Sequence, residues 1–160
     1  YWEEHRVPKS KLPAKHAKLA ARIRRLESDF SLFPPPGERC KTVRDALRGL
    51  PDPRNKSDTV PNHEFRDGAR PYHGHTGSSL DLPSKALKAG DHGVPGGENM
   101  MALPDGSYRY YTVRESARLQ TFPDDYVFSG SWTEAMRQIG NAVPVELAAA
   151  VGKSILKQVT

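Results

Sequence analysis

Tyr111-Thr-Val-Arg-Glu-Ser-Ala-Arg-Leu-Gln-Thr-Phe-Pro123 is the stretch that decides the fold of the C-terminal part of this chain. Thr112 and Glu115 have the spacing of a capping box, in which each side chain accepts a hydrogen bond from the backbone amide of the other residue. The pattern predicts a helix over residues 113–120. Phe122-Pro123 ends it, because proline disfavours helical backbone at the residue before it.

The residues on either side of this helix predict three further elements. Tyr108-Arg-Tyr-Tyr111 predicts a short strand. Ser131 and Glu134 repeat the capping-box spacing and predict a helix that continues to about residue 138. Gly140-Asn141 predicts a turn, and Pro144 suits the first position of a last helix. That helix has an apolar face with a four-residue period, formed by Leu147, Val151 and Ile155.

Composition limits the class of protein. The chain has 160 residues, about the length of one domain, and its single cysteine excludes a disulfide framework and a Cys-rich zinc site. The net charge of +5 favours a nucleic-acid partner, with a mildly basic protein that binds none as the alternative. No apolar run reaches the ~18–20 residues of a membrane span, and the first residues do not resemble a signal peptide. We expect an intracellular protein, cytoplasmic if bacterial, with no membrane partner.

The distribution of residue types predicts three regions. Residues 1–37 form a helical connector, with a helix over residues 13–28 whose basic face is either solvated or in contact with phosphate. Residues 38–107 begin with a short helix capped by Thr42 and continue with many Gly, Pro, His, Asp and Ser residues, which predict short strands and long loops. Residues 108–160 contain the strand and helices described above.

Two segments of the third region resemble a known family. Arg114-Glu-Ser-Ala-Arg-Leu-Gln-Thr-Phe-Pro123, preceded by Arg109 and Thr112, and Gln138-Ile-Gly-Asn-Ala-Val-Pro144 resemble the last two motifs of the cytosine-5 DNA methyltransferases of bacterial restriction-modification systems. The resemblance implies an α+β chain. It further implies that residues 38–107 are a loop-rich small β target-recognition domain and that residues 108–160 supply C-terminal helices that complete a Rossmann-like methyltransferase domain.

Each of the two motifs has a functional and a structural interpretation. Arg114 and Arg118 lie on one side of the predicted helix, where they either organise a neighbouring loop through carbonyl and carboxylate groups or reach DNA phosphates. For the second motif, the resemblance implies that Asn141, Ala142 and Val143 contact S-adenosylmethionine. The alternative is an ordinary turn between helices.

The segment from His73 to Asn99 is similar to the target-recognition domain of the family, with Ala86-Leu87 where Thr-Leu is usual. The resemblance implies contact with double-stranded DNA. Lys85 and Lys88 are candidates for phosphate contacts, and Ser84 for the hydroxyl contact that Ala86 lacks. The candidates for reading base edges are Arg66, Arg70, His92 and Asn99.

The residues that carry the reaction in this family are absent from these 160 residues. The sequence has no Pro-Cys dipeptide and no Phe-x-Gly-x-Gly cofactor loop, and Glu98-Asn-Met stands in the wrong order for the family's Glu-Asn-Val. Cys40, between Arg39 and Lys41, lacks the context of the family nucleophile. The histidines lack metal-ligand spacing, so we expect no metal site; they include His63, His73, His75 and His92.

The sequence therefore predicts part of an enzyme, with no catalytic residue of its own. Its partners are duplex DNA and an N-terminal catalytic half, on the same chain or a separate subunit, with which it shares S-adenosylmethionine. We expect this chain alone to be inactive. The alternatives are a non-catalytic DNA-binding or assembly module derived from the same family and an unrelated metalloprotein. The Gly140-Asn-Ala-Val143 segment favours the enzyme, since a pure DNA-binding module has no use for it.

Overall fold

The computed structural model describes residues 40–55, 59–73, 76–88 and 99–159. The predicted connector over residues 1–37, with its helix over residues 13–28, lies outside the described residues. His75, His92 and Glu98 lie outside them as well.

Four helices, one 3-10 turn and three short strands make up the described part of the chain. In chain order they are α1 (Val43–Ala46), the 3-10 turn (Pro53–Asn55), β1 (Ser78–Ser79), β2 (Met100–Ala102), β3 (Tyr108–Tyr110), α2 (Val113–Leu119), α3 (Trp132–Asn141) and α4 (Val145–Val159). This mixture of helices with a small sheet confirms the α+β prediction.

The three strands form one sheet in the order β1-β2-β3. Strand β1 runs parallel to β2, with Ser78 beside Met101, and β2 pairs with β3 in the antiparallel sense. Gly77 precedes β1 with a φ of +67°, and a Cβ atom there would lie 3.2 Å from the carbonyl oxygen of Met100. A glycine is required at this position, because the backbone is left-handed and close to the next strand.

Two capping boxes form as the sequence predicts. Thr112 and Glu115 bond each other's backbone amides at the start of α2, and Thr42 does the same with Asp45 at the start of α1. At α3 only half of the box forms. Ser131 Oγ accepts from the amide of Glu134, whose carboxylate is bonded to Arg137 instead.

The prediction of a turn at Gly140-Asn141 is wrong, because α3 continues through both residues. The last helical residue is Asn141, and the next residue, Ala142, has an extended ψ of 147°. Pro144 stops the helix, because it has no amide to donate to the carbonyl oxygen of Gly140 and because it disfavours helical backbone at Val143. The last helix then begins at Val145.

The hydrophobic core lies between the sheet, α2 and α3. Met101 of β2, Tyr111, Ala117 of α2 and Ile139 of α3 are its central members, and each is fully buried. Burial raises the pKa of the Tyr111 phenol to about 12. The core thus joins the end of the loop-rich region to the helices that follow it.

Helix α4 contributes no buried residue to this core. Leu147, Val151 and Ile155 are each more than half exposed, so the apolar face predicted from the sequence is present but uncovered. Trp132–Val159 is, by length and composition, apolar enough to cross a membrane. It is interrupted at residues 142–144, however, and the 15 residues of α4 would extend about 22 Å, short of a ~30 Å hydrocarbon layer.

Replacing Thr112 with alanine will lower the free energy of unfolding by about 2 kcal/mol. The change removes an N-cap hydroxyl that also bonds the buried ring of His63. Ser131→Ala is the matched control, because it removes a cap on an exposed residue and will cost about 1 kcal/mol. Urea unfolding of both variants measures the difference, and equal losses would contradict this account of Thr112.

Candidate nucleic-acid interface and cofactor-binding turn

Helix α2 carries a buried guanidinium in its first turn. The side chain of Arg114 is fully buried, and its Nε, Nη1 and Nη2 donate to the carbonyl oxygens of Pro61, Pro123 and Tyr126 at 3.2, 3.2 and 2.8 Å. The nearest carboxylate oxygen, on Asp124, lies 4.0 Å away. Desolvation lowers the pKa of the Arg114 side chain. These carbonyl bonds join α2 to two separate loops.

The same helix is fixed at its start by a buried ion pair. The guanidinium of Arg109 makes two parallel bonds of 2.6 and 2.7 Å to the carboxylate of Glu115. One oxygen of that carboxylate also accepts from the backbone amide of Thr112. Glu115 thus caps the helix and neutralises the charge of the strand residue before it, which fixes the angle at which the chain enters α2.

His63 ties the preceding loop to the same cap. Its Nδ1 lies 2.9 Å from Thr112 Oγ1, and its Nε2 lies 2.8 Å from the carbonyl oxygen of Pro51. A carbonyl only accepts, so Nε2 carries the proton. Next to it, Asn62 exchanges two hydrogen bonds with the backbone of Phe128. His63, a candidate metal ligand by residue type, is therefore a structural residue here.

Arg118 serves the same purpose at the other end of α2. Its Nε donates to Asp124 at 2.7 Å, and its Nη1 donates to the carbonyl oxygen of Arg48 at 2.8 Å. The bonds from Arg118 hold the pKa of Asp124 below its usual value. Both arginines thus adopt the loop-organising alternative. Arg114 is not accessible to DNA, which corrects its assignment as a DNA contact, and Arg118 is engaged with protein oxygens.

Asn141, the last residue of α3, and residues 142–144, which lead to α4, form the segment that we call the 141–144 connection. Hydrogen bonds to the residues on either side of it hold this segment against the end of α2. The amide of Val145 donates to the carbonyl oxygen of Gln120, and Gln120 Nε2 donates to the carbonyl oxygen of Ile139. The amide of Glu146 donates to Thr121 Oγ1. The motif helix and this connection therefore form one unit.

The predicted cofactor-binding residues lie at the surface of that unit. Asn141 and Val143 are exposed, Val143 by 63%, and Ala142 is half-buried. The structure thus leaves an amide side chain and an apolar side chain exposed at the connection.

The predicted DNA-binding residues fall into two groups. Asn99 is fully buried, so it is not available to read a base edge, which corrects its assignment; His92 lies outside the described residues. Lys85 is exposed, with its Nζ 3.2 Å from Thr76 Oγ1. The other candidates lie at or near the surface: Arg66, Arg70, Ser84 and Lys88.

Trp132 is not among the residues that the sequence predicts for the site. This residue opens α3, its Nε1 donates to the carbonyl oxygen of Tyr111, and its ring packs against Tyr110 with centroids 5.5 Å apart. The guanidinium of Arg66 lies over the indole ring, 4.5 Å from the ring centroid. The position of Trp132, directly after the N-cap Ser131, can be recognised in the sequence. Its contact with Arg66 cannot, because the two residues are far apart in the chain.

Comparisons with known proteins agree on one family. The family model for C-5 cytosine-specific DNA methylases matches residues 6–157. The type II methyltransferase M.MthTI of Methanothermobacter thermautotrophicus is 34% identical over 151 aligned residues, which cover 78% of this chain and 46% of that protein. M.NgoFVII of Neisseria gonorrhoeae is 38% identical over 114 residues, or 71% of this chain and 29% of the relative. For M.AplI of Arthrospira platensis the identity is 46% over 77 residues, or 48% and 22%. The chain thus spans less than half the length of these relatives.

Arg114→Lys will lower the free energy of unfolding by about 3 kcal/mol. Lysine keeps the charge but cannot reach three carbonyl groups that the planar guanidinium bonds in fixed directions. Arg137→Lys is the control, because Arg137 is exposed on α3, and the change will stay within about 0.5 kcal/mol. Denaturant unfolding compares the two variants. A loss below about 1 kcal/mol for Arg114→Lys would show that these carbonyl bonds are dispensable.

Proposed function

The chain belongs to the C-5 cytosine-specific DNA methylase family, and from this premise we propose a division of labour. The chain recognises duplex DNA and closes the S-adenosylmethionine pocket of a DNA (cytosine-5-)-methyltransferase, which methylates C5 of cytosine. The rest of the enzyme, an N-terminal catalytic half on the same chain or a separate subunit, supplies the reacting groups. The relatives that the chain matches are more than twice as long as the matched part, which supports this division.

The observation that carries the proposal is the attachment of the 141–144 connection to α2. Three hydrogen bonds from Gln120, Val145 and Glu146 hold the connection in place, although Asn141 and Val143 are exposed. An exposed segment whose flanking residues are hydrogen-bonded to the end of another helix suits one wall of a ligand site. The wall would be completed by residues of the catalytic half.

The open groups of the connection fit S-adenosylmethionine. The amide of Asn141 offers both a donor and an acceptor to the amino-acid end of the cofactor, and Val143 offers apolar contact. When bound, S-adenosylmethionine supplies the methyl group that the enzyme transfers. The role proposed for Asn141, Ala142 and Val143 is to hold the cofactor and exclude water on this side.

Helix α4 supplies the surface on which the catalytic half would dock. Leu147, Val151 and Ile155 form an uncovered apolar stripe on the helix that follows the connection directly. An exposed stripe of this kind marks an interaction surface. Docking there would bring the catalytic half next to the 141–144 connection and complete a Rossmann-like domain.

The recognition role rests on the loops of residues 38–107, the proposed target-recognition domain. Lys85 and Lys88 are exposed on the segment that follows β1, which suits phosphate contact. Ser84 Oγ donates to the carbonyl oxygen of Lys85 and so supports the backbone of that segment. Arg66 and Arg70 are exposed on an earlier loop, where they remain candidates for base edges.

Reconstitution tests the proposal most simply. We expect no transfer of tritium from labelled S-adenosylmethionine to duplex DNA by this chain alone, because it contains no Pro-Cys nucleophile. Addition of the N-terminal catalytic half of a close relative, or of the natural partner, will restore transfer. Methyl transfer by the purified chain alone would refute the division of labour. DNA binding without any transfer by the mixture would favour the non-catalytic DNA-binding module.

Replacement of both Lys85 and Lys88 with alanine will weaken DNA binding and reduce its dependence on salt. Each lost phosphate contact removes about one released counterion, so the slope of log affinity against log salt will fall by about two. Lys153→Ala/Lys157→Ala on α4 is a control with the same loss of charge, and it will leave the slope nearly unchanged. Fluorescence anisotropy over a salt series measures both. Equal slopes for the two double variants would show that Lys85 and Lys88 do not touch phosphate.

A further inference from the structure

The contacts of the arginines separate Arg66 from nearly all the others. Most described arginines hydrogen-bond or ion-pair with a carboxylate or a carbonyl oxygen of the protein: Arg44, Arg48, Arg54, Arg109, Arg114, Arg118 and Arg137. In the part of the chain that the structure describes, no such acceptor faces Arg66, whose contact is with the ring of Trp132. Its guanidinium is thus held in place while its donors stay open.

The indole ring beneath Arg66 is itself firmly held. Trp132 donates from Nε1 to the carbonyl oxygen of Tyr111, at 3.2 Å, and packs against Tyr110. Tyr111 is fully buried in the core. A guanidinium stacked on such a ring is already restricted in its conformations. It therefore loses less side-chain entropy on binding DNA than an arginine with no contact.

The loop that carries Arg66 is fixed on both sides. Upstream, Asn62 makes two hydrogen bonds to the backbone of Phe128, and His63 bonds the cap of α2. Downstream, the carboxylate of Asp67 accepts from the amide of Gly68, which has a φ of +88°. The carboxylate of Asp67, the residue next to Arg66, is thus bonded to a backbone amide of the turn.

We propose that Trp132 is a positioning residue for DNA recognition: it holds Arg66 so that the guanidinium makes a two-pronged contact with duplex DNA. The inference rests on the proposed function and deepens it, because Trp132 lies outside the predicted target-recognition domain and opens the helix that ends at Asn141. The acceptor pair is either two phosphate oxygens or the O6 and N7 atoms of a guanine, which share this geometry. Recognition of DNA thus depends on an aromatic side chain from the methyltransferase helices.

The test is a double-mutant cycle on this chain assembled with its catalytic half, with DNA affinity measured by anisotropy. Arg66→Ala will weaken binding about thirtyfold, and Trp132→Leu about fivefold. Trp132→Phe keeps an aromatic face and will stay within about twofold of the wild type. The combined variant will bind no more weakly than Arg66→Ala alone, because the indole acts through Arg66.

Arg70→Ala provides the matched control for the cycle. Arg70 is exposed on the same loop but has no described ring beneath it, so its effect and that of Trp132→Leu will multiply. Unchanged affinity in Trp132→Leu, or a Trp132→Leu effect that persists in full when Arg66 is already alanine, would overturn the inference. Loss of DNA binding by the unaltered assembly would overturn the proposed function itself, and the inference with it.

Arg66→Lys keeps the test decisive if Trp132→Leu does not fold. Lysine retains the charge without the planar fork, so it will lose most of the affinity that alanine loses. Retention of nearly full affinity by Arg66→Lys would overturn the two-pronged contact. For a phosphate contact, Arg66→Ala lowers the salt slope by about one on every duplex. For a guanine contact, the effect of Arg66→Ala shrinks when 7-deazaguanine replaces the contacted base, because that base keeps O6 but lacks N7.

Discussion

The buried guanidinium of Arg114 is the contact on which the rest of the described structure depends. A fully buried charge is costly unless it is hydrogen-bonded, and here each of its three nitrogens donates to a backbone carbonyl from one of two loops. One carbonyl belongs to the loop that leads to His63 and Arg66, and two belong to the loop between α2 and α3. The geometry of both loops is therefore set by a single side chain of a seven-residue helix.

This arrangement places two surfaces on a shared support. On one side, the loop that carries Arg66 and Arg70 begins at His63, which bonds the cap of α2. Arg66 stacks on Trp132, the first residue of α3. On the other side, the end of α3 leads into the 141–144 connection, which Gln120 and Thr121 hold from behind. The ten residues of α3 thus separate the proposed DNA contact from the proposed cofactor contact. A small, loop-rich unit can hold both because its polar contacts replace the large core that it lacks.

The sequence predicts the parts of this unit that depend on near neighbours. Both reciprocal capping boxes, the helix that follows Thr112 and the strand at Tyr108 are set within a few residues, and the structure confirms them. The end of α3 was misplaced because Gly140-Asn141 is typical of a turn, whereas the constraint of Pro144 and the burial of Ile139 determine where the helix stops. The burial of Asn99 and the stacking of Arg66 on Trp132 depend on residues distant in the chain. Local patterns carry no information about such pairs.

The account depends on one proposal, that the exposed helix α4 and the 141–144 connection before it form the binding surface for the catalytic half. Hydrogen exchange of the backbone amides tests it directly, with the chain measured alone and together with the catalytic half. Helix α4 has no buried residue and will exchange quickly in the chain alone, whereas the buried amides of α2 will exchange slowly in both states. On assembly, we predict strong protection confined to α4 and the 141–144 connection. Restored methyl transfer with unchanged exchange over residues 141–159 would contradict the account.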